Sequence, residues 1–265
     1  MARLVTARHA VSTNPLKSSA PLGAALAYLG IEGAVPLLHG AQGCTAFGMV
    51  HLVRHFKEAV PLQTTAMNEV TTILGGADQI EEAIENIRKR ADPRFIGIAS
   101  TALAETRGED VAGELREILA RRRDFDATRV VYAATPDFDG GLQDGWAKAV
   151  EAIVSALVPE TAQRDPDLRQ VTLLCGSHLT PAEIEELVRM VRAFGLEPLV
   201  LPDLSGSLDG HVSGNWSGTS LGARRWTASR WPRARSARWR LASRCAARRG
   251  SSRTARWFRR RCSRC

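Results

Sequence analysis

The stretch VTLLCGSHLTPAEIEELVRMVRAFGLEPLVL, Val171 to Leu201, decides the fold class. At its centre Thr180 stands as an N-cap, with Pro181 at the first helical position and Glu183 three residues after the cap, so two backbone N–H groups gain side-chain acceptors. Ile184, Leu187, Val188 and Val191 follow at i, i+3, i+4 and i+7, and Gly195 supplies the stop. Short β-type runs flank this helix, Val171 to Cys175 before it and Pro198 to Leu201 after it. The unit is strand, helix, strand.

The same grammar extends upstream. Ile80, Ala83, Ile84 and Ile87 form a helical stripe ahead of Phe95 to Ile98, a second helix near Val111 to Leu119 precedes Arg129 to Ala133, and a third spans Ala147 to Leu157. Strands separated by helices of this length predict a parallel sheet covered on both faces, an α/β fold with right-handed crossovers and ligand crevices beyond the strand C-termini. The polar stretch Pro159 to Leu168 reads as a linker. It divides a Rossmann-like domain at residues 1–160 from an incomplete second α/β unit at 161–222, where there is room for roughly one βαβ unit of about 30 residues.

A chain of 265 residues with 44% apolar content excludes disorder throughout. It holds no apolar run long enough to span a bilayer, and Met1 to Ser12 lacks the apolar region of a signal peptide. Five cysteines are too few and too scattered for a disulfide framework, so a cytoplasmic setting is expected.

The net charge of +8 averages two unlike segments. Ala223 to Cys265 carries 16 arginines and neither lysine nor acid, which leaves 20 basic and 28 acidic side chains in the first 222 residues. Charge alone suggests an arm that grips phosphates, with tryptophans to stack on bases. Composition argues otherwise: arginine with Ala, Ser, Trp, Cys, Gly and Pro is the vocabulary of a GC-rich gene read out of frame. Residues 223–265 are therefore expected to be a disordered, frameshifted tail, and nucleic-acid binding is not expected. The C-x-x-C at Cys262 and Cys265 has no second ligand pair and reads as an accident of that composition.

No phosphate-binding glycine loop or nucleophile elbow occurs, which removes the usual ATP, NAD and hydrolase readings. Cys44 carries more chemistry. It follows the apolar run Ala34 to Leu38 through His39-Gly40-Ala41-Gln42-Gly43 and opens the apolar helical stretch Phe47 to Phe56. A thiol at a helix N-terminus has free N–H groups and the helix dipole favouring the thiolate, the form that binds metal. Taken alone, a small buried hydrophobe is the commoner role for cysteine. If Cys44 is a ligand, numbers constrain the site. A four-iron cluster usually takes four thiolates, and before residue 223 the chain offers only Cys44 and Cys175, the latter ending a strand and reading as core. The other ligands would come from another chain. His51 and His55 share a helix face but lack the zinc-protease glutamate, so they read as a solvated face beside Arg54 and Lys57. Glu109 and Asp110 read as the start of the next helix.

The strings NPLKSSAPLGA from Asn14, VPLLHGAQGC ending at Cys44, RHFKE from Arg54, PLQTTAMNE from Pro61, ILGGAD from Ile73 and STALAETRGED ending at Asp110 resemble the nitrogenase component 1 family. Within it they are most similar to the NifN-type iron-molybdenum cofactor biosynthesis branch, over nearly all of residues 1–222. The resemblance implies a subunit of the NifEN scaffold rather than a stand-alone catalyst, paired with NifE in a heterotetramer with two copies of each subunit. It implies that Cys44 is the single thiolate given to an intersubunit 4Fe-4S cluster. It further implies that NifE mainly holds the iron-molybdenum cofactor precursor, and that the iron protein and the apo molybdenum-iron protein are transient partners. The catalytic β subunit of the family has a further cluster cysteine where this sequence has Ala102, which sets the two branches apart. Family members also continue much further, so a chain ending here is expected to be unstable or poorly competent in assembly.

Overall fold

In the computed structural model, which describes residues 19–56, 59–157 and 169–206, alternate residues of two buried strands face opposite layers. Strands β1 (Ala34–His39) and β3 (Phe95–Ser100) lie at the centre of a parallel sheet, flanked by β2 (Gln63–Thr64) and β4 (Arg129–Ala133) in the order β2-β1-β3-β4. Ala34 and Leu38 of β1 join Phe95 and Ala99 of β3 in one apolar layer. Val35 and Leu37 join Ile96 and Ile98 in the other. This period of two, buried on both sides, is the pattern of a parallel strand covered by helices.

Helices α1 (Ala20–Leu29) and α7 (Leu142–Leu157) cover the first face, burying Tyr28, Trp146, Ala149 and Ile153. The second face is closed by α4 (Ala77–Ala91) and α6 (Val111–Arg121), through Ile80, Ile84 and Ile87 of the predicted stripe and through Leu115 and Ile118. Helix α1 was not anticipated. It is apolar on every side and all ten of its residues are buried, so it has no amphipathic stripe to read. Ser19 accepts Leu22 N–H at its start, and the Asp137 carboxylate accepts Ala20 N–H at 3.0 Å.

The strand–helix–strand unit read from Val171 to Leu201 is present as β5 (Gln170–Leu174), α8 (Pro181–Ala193) and β6 (Glu197–Leu201), with β5 and β6 parallel. Thr180 and Glu183 form the expected capping box, and Gly195 takes a left-handed φ of 71°. Cys175 is buried with Ile184 and Val200, as the core reading expects, and burial pushes its thiol pKa up. Trp146 Nε1 donates to Cys175 O at 3.0 Å, tying α7 to the end of β5. Several expected ranges differ slightly: β5 begins and ends one residue early, β6 begins one residue early, α7 begins five residues before the expected Ala147, and β3 and α6 each run two residues further, to Ser100 and Arg121. Among the described residues no helix is long and apolar enough to cross a membrane. The Pro159 to Leu168 linker and the 223–265 tail lie outside the described residues.

Candidate functional site

The remaining helices, α2 (Gln42–His55), α3 (Glu69–Leu74) and α5 (Ala102–Arg107), start near the C-terminal ends of β1, β2 and β3, where a parallel sheet of this kind places its sites. Cys44 is the third residue of α2. Its thiol is exposed, which removes the buried-hydrophobe alternative. The cap residue Ala41 offers no side chain to the first turn, so the positive end of the helix is left to whatever lies in front of it. A Cβ placed on Gly43 would meet nothing within 4 Å, so the backbone beside the thiol faces open space.

The outward side of α2, next to Cys44 at Phe47, is apolar. Phe47 is 61% exposed, and Val50 and Val53 on the same helix are also exposed. Val70, Ile73 and Leu74 of α3 add a second uncovered group, Leu74 at 78%. Sequence periodicity assigned Phe47 to Phe56 to a helix but could not say that so much of the apolar side faces outward. A cluster of such side chains is the usual mark of a protein contact surface.

Behind this face lies a buried polar chain. His39, the last residue of β1, is fully buried. Its Nδ1 lies 3.1 Å from Thr65 Oγ1 and its Nε2 lies 3.3 Å from Glu109 Oε2. Thr65 Oγ1 accepts Gly40 N–H at 3.1 Å, and Met67 N–H donates to Gly40 O at 2.9 Å. Burial holds the His39 pKa below the ordinary histidine value, while its hydrogen bond to Glu109 pulls the other way. Arg107 Nη1 lies 3.0 Å from Glu109 Oε1, an oxygen that also accepts Gly76 N–H.

These contacts correct one expectation and qualify another. Asp110 does cap α6, accepting Gly113 N–H at 3.0 Å. Glu109 does not: its side chain is 1% exposed and turns inward to His39 and Arg107. Arg107, two residues earlier, is the only local hint that Glu109 has an ion-pair partner; its contact with His39, 70 residues away, leaves no local signal. His51 is half-buried rather than solvated, with its ring edge-on to Phe47 at 4.6 Å. The side chains of His55 and Lys57 lie outside the described residues. Ala102 opens α5 directly after β3, and Thr101 N–H donates to His39 O at 3.0 Å.

The donor set tests what could bind. One exposed thiol with open space in front of it fits a single corner of an iron-sulfur cluster. Among the described residues no group of three or more His, Cys, Asp or Glu could hold a metal ion, so a cluster at Cys44 needs ligands from elsewhere.

The sequence profile of nitrogenase component 1 type oxidoreductases matches residues 19–263. The chain is 77% identical over 225 residues to the nitrogenase iron-molybdenum cofactor biosynthesis protein NifN of Rhodobacter capsulatus, covering 85% of this chain and 49% of that protein. It is 53% identical over 224 residues to the NifN of Rhizobium meliloti (strain 1021), covering 84% and 51%. A solved structure described as nitrogenase Cp1 at pH 6.5 superposes with a TM-score of 0.72 at 30% identity, covering 84% of this chain and 48% of that one. The chain spans about half the length of the curated relatives it matches.

Proposed function

The chain belongs to the nitrogenase component 1 type oxidoreductase family, and from that membership we propose that it is a subunit of a NifEN-type scaffold on which the iron-molybdenum cofactor is assembled. Cys44 contributes one thiolate to a 4Fe-4S cluster whose other ligands belong to a NifE partner. The observation that carries this reading is an exposed thiol on the same helix as three exposed apolar side chains, Phe47, Val50 and Val53, with Phe47 one turn away from it. Each half of that arrangement is costly alone, and a second subunit that covers the apolar face while completing the cluster explains both.

When bound, such a cluster supplies one-electron transfer. The chain's own residues present the sulfur in the first turn of a helix that has no side-chain cap and offer apolar cover that excludes water around it. Ala102 supplies no second thiolate beside β3, in keeping with an assembly scaffold rather than a catalytic β subunit. The cofactor precursor is held mainly by the partner, and the iron protein and apo molybdenum-iron protein dock transiently, in the cytoplasm. Residues 1–160 act as the cluster-bearing domain, and 161–222 belong to a second α/β domain.

The test is Cys44→Ala in the full-length polypeptide co-expressed with NifE and purified without oxygen. Iron counting and electron paramagnetic resonance are expected to show a complex that has lost the shared cluster. A complex with the parent's iron content and signal would overturn the assignment.

A further inference from the structure

The protons along the buried chain from Arg107 to Gly40 can be assigned from its donors and acceptors. Glu109 as a carboxylate has only lone pairs to offer, so the His39 nitrogen facing Oε2 at 3.3 Å, Nε2, carries the hydrogen. A neutral ring then leaves Nδ1 as an acceptor, and the Thr65 hydroxyl 3.1 Å away donates to it. The same hydroxyl oxygen accepts Gly40 N–H. At the other end Glu109 Oε1 is shared by Arg107 and Gly76 N–H. The fit is close: a Cβ on Gly76 would stand 2.6 Å from His39 Cε1 and 3.0 Å from Glu109 Oε1.

We propose that Glu109 is a positioning residue for Cys44: it locks His39 as the Nε2–H tautomer and, through Thr65, fixes the Gly40-to-Cys44 turn that presents the thiol. The inference rests on the reading of Cys44 as a cluster ligand. Groups that orient a ligand from behind act in this way, by setting a tautomer and a direction without touching the metal.

Glu109→Gln tests the mechanism because an amide cannot satisfy both ends. Its oxygen is held by the two donors Arg107 and Gly76, so its NH₂ faces His39, and the ring must become an acceptor at Nε2 and carry its hydrogen on Nδ1. The hydroxyl of Thr65 then has to accept both Gly40 N–H and Nδ1–H and to turn its own hydrogen from the imidazole to Gly40 O, 3.4 Å away, so the contacts that hold Gly40 are redrawn.

Two measurements read this out. In the ¹⁵N-histidine-labelled, metal-free chain of 28.8 kDa, two-bond proton–nitrogen spectra are expected to show His39 as Nε2–H in the parent and Nδ1–H in Glu109→Gln. A parent already in the Nδ1–H form, or a variant with the parent's tautomer, would overturn the proposal. In the full-length complex with NifE, Glu109→Gln and Thr65→Val are expected to lower iron occupancy of the shared cluster by about tenfold, while Thr65→Ser, which keeps the hydroxyl, matches the parent. Unchanged occupancy in Thr65→Val, which is isosteric and guards against a folding defect in Glu109→Gln, would also overturn it. A cluster that survives Cys44→Ala sinks the ligand reading instead and leaves the tautomer result standing.

Discussion

Gly97 lies under the ring of Tyr28 with no room for one more carbon: a Cβ on Gly97 would overlap the ring at Cγ and both Cδ atoms. Tyr28 is fully buried, and its hydroxyl donates to Ile98 O at 3.1 Å. The two residues seat α1 on the centre of the sheet. Gly97→Ala is expected to cost about 1–3 kcal/mol by overpacking, and Tyr28→Phe about 1 kcal/mol for the lost hydrogen bond. Urea unfolding followed by far-ultraviolet circular dichroism measures both, and a Gly97→Ala midpoint equal to the parent's would refute the first.

Protonation of His39 sets a pH dependence of stability. The ring's folded pKa lies below the ordinary 6.5, first because of burial and against the pull of Glu109 and Glu105, with Arg107 acting in the same direction as burial. Below 6.5 the unfolded chain therefore binds a proton that the native chain resists. The neutral ring's contribution is fully present above the unfolded pKa and drains away as pH falls through that window. Urea midpoints are expected to drop between about pH 7.5 and about pH 5.5, and to drop less in His39→Gln. Equal drops in the two proteins would show that His39 is not the group responsible.

Phe47 separates folding from association. Its side chain is 61% exposed, so Phe47→Asp is expected to change unfolding free energy by no more than about 0.5 kcal/mol. Pairing with NifE is expected to weaken by about 2 kcal/mol or more, if an aromatic anchor in the contact has been replaced by a charge. Thermal melts and co-purification distinguish the two effects, and undiminished recovery of the partner would count against the apolar stripe as the contact.

Thr180→Ala removes half of a reciprocal cap in which Thr180 Oγ1 accepts Glu183 N–H and the Glu183 carboxylate accepts Thr180 N–H at 2.7 Å. The expected cost is about 1 kcal/mol, with most of the fraying at the start of α8. Hydrogen exchange of the first-turn amides measures it. A Ser at the same position is expected to restore protection.

What could be read from the residues follows from how far each signal travels along the chain. The cap at Thr180 and the stripe Ile80, Ala83, Ile84 and Ile87 act within one or two helical turns, so the residues alone locate their elements. Cys44 was placed at a strand-to-helix turn because an apolar run, two glycines and a second apolar run sit next to one another. Helix α1 escaped because it is buried on every side, and β2 because two residues carry no periodicity. Glu109 was read as a helix start beside Asp110. Its real partner lies 70 residues back at His39, a distance over which pattern says nothing. The outward aspect of Phe47, Val50 and Val53 was equally hidden, since an apolar helix face looks the same whether it meets its own core or another chain.

With this face uncovered, the polypeptide is vulnerable to oxidation where its sulfur is bare. Two copies meeting face to face in air would give up a proton and an electron from each Cys44, reduce dioxygen and become stapled by a disulfide, with the greasy surroundings holding the mistake in place. Nothing among the described residues shelters that atom. On the proposed reading, synthesis alongside a companion subunit under reducing conditions keeps this surface usable.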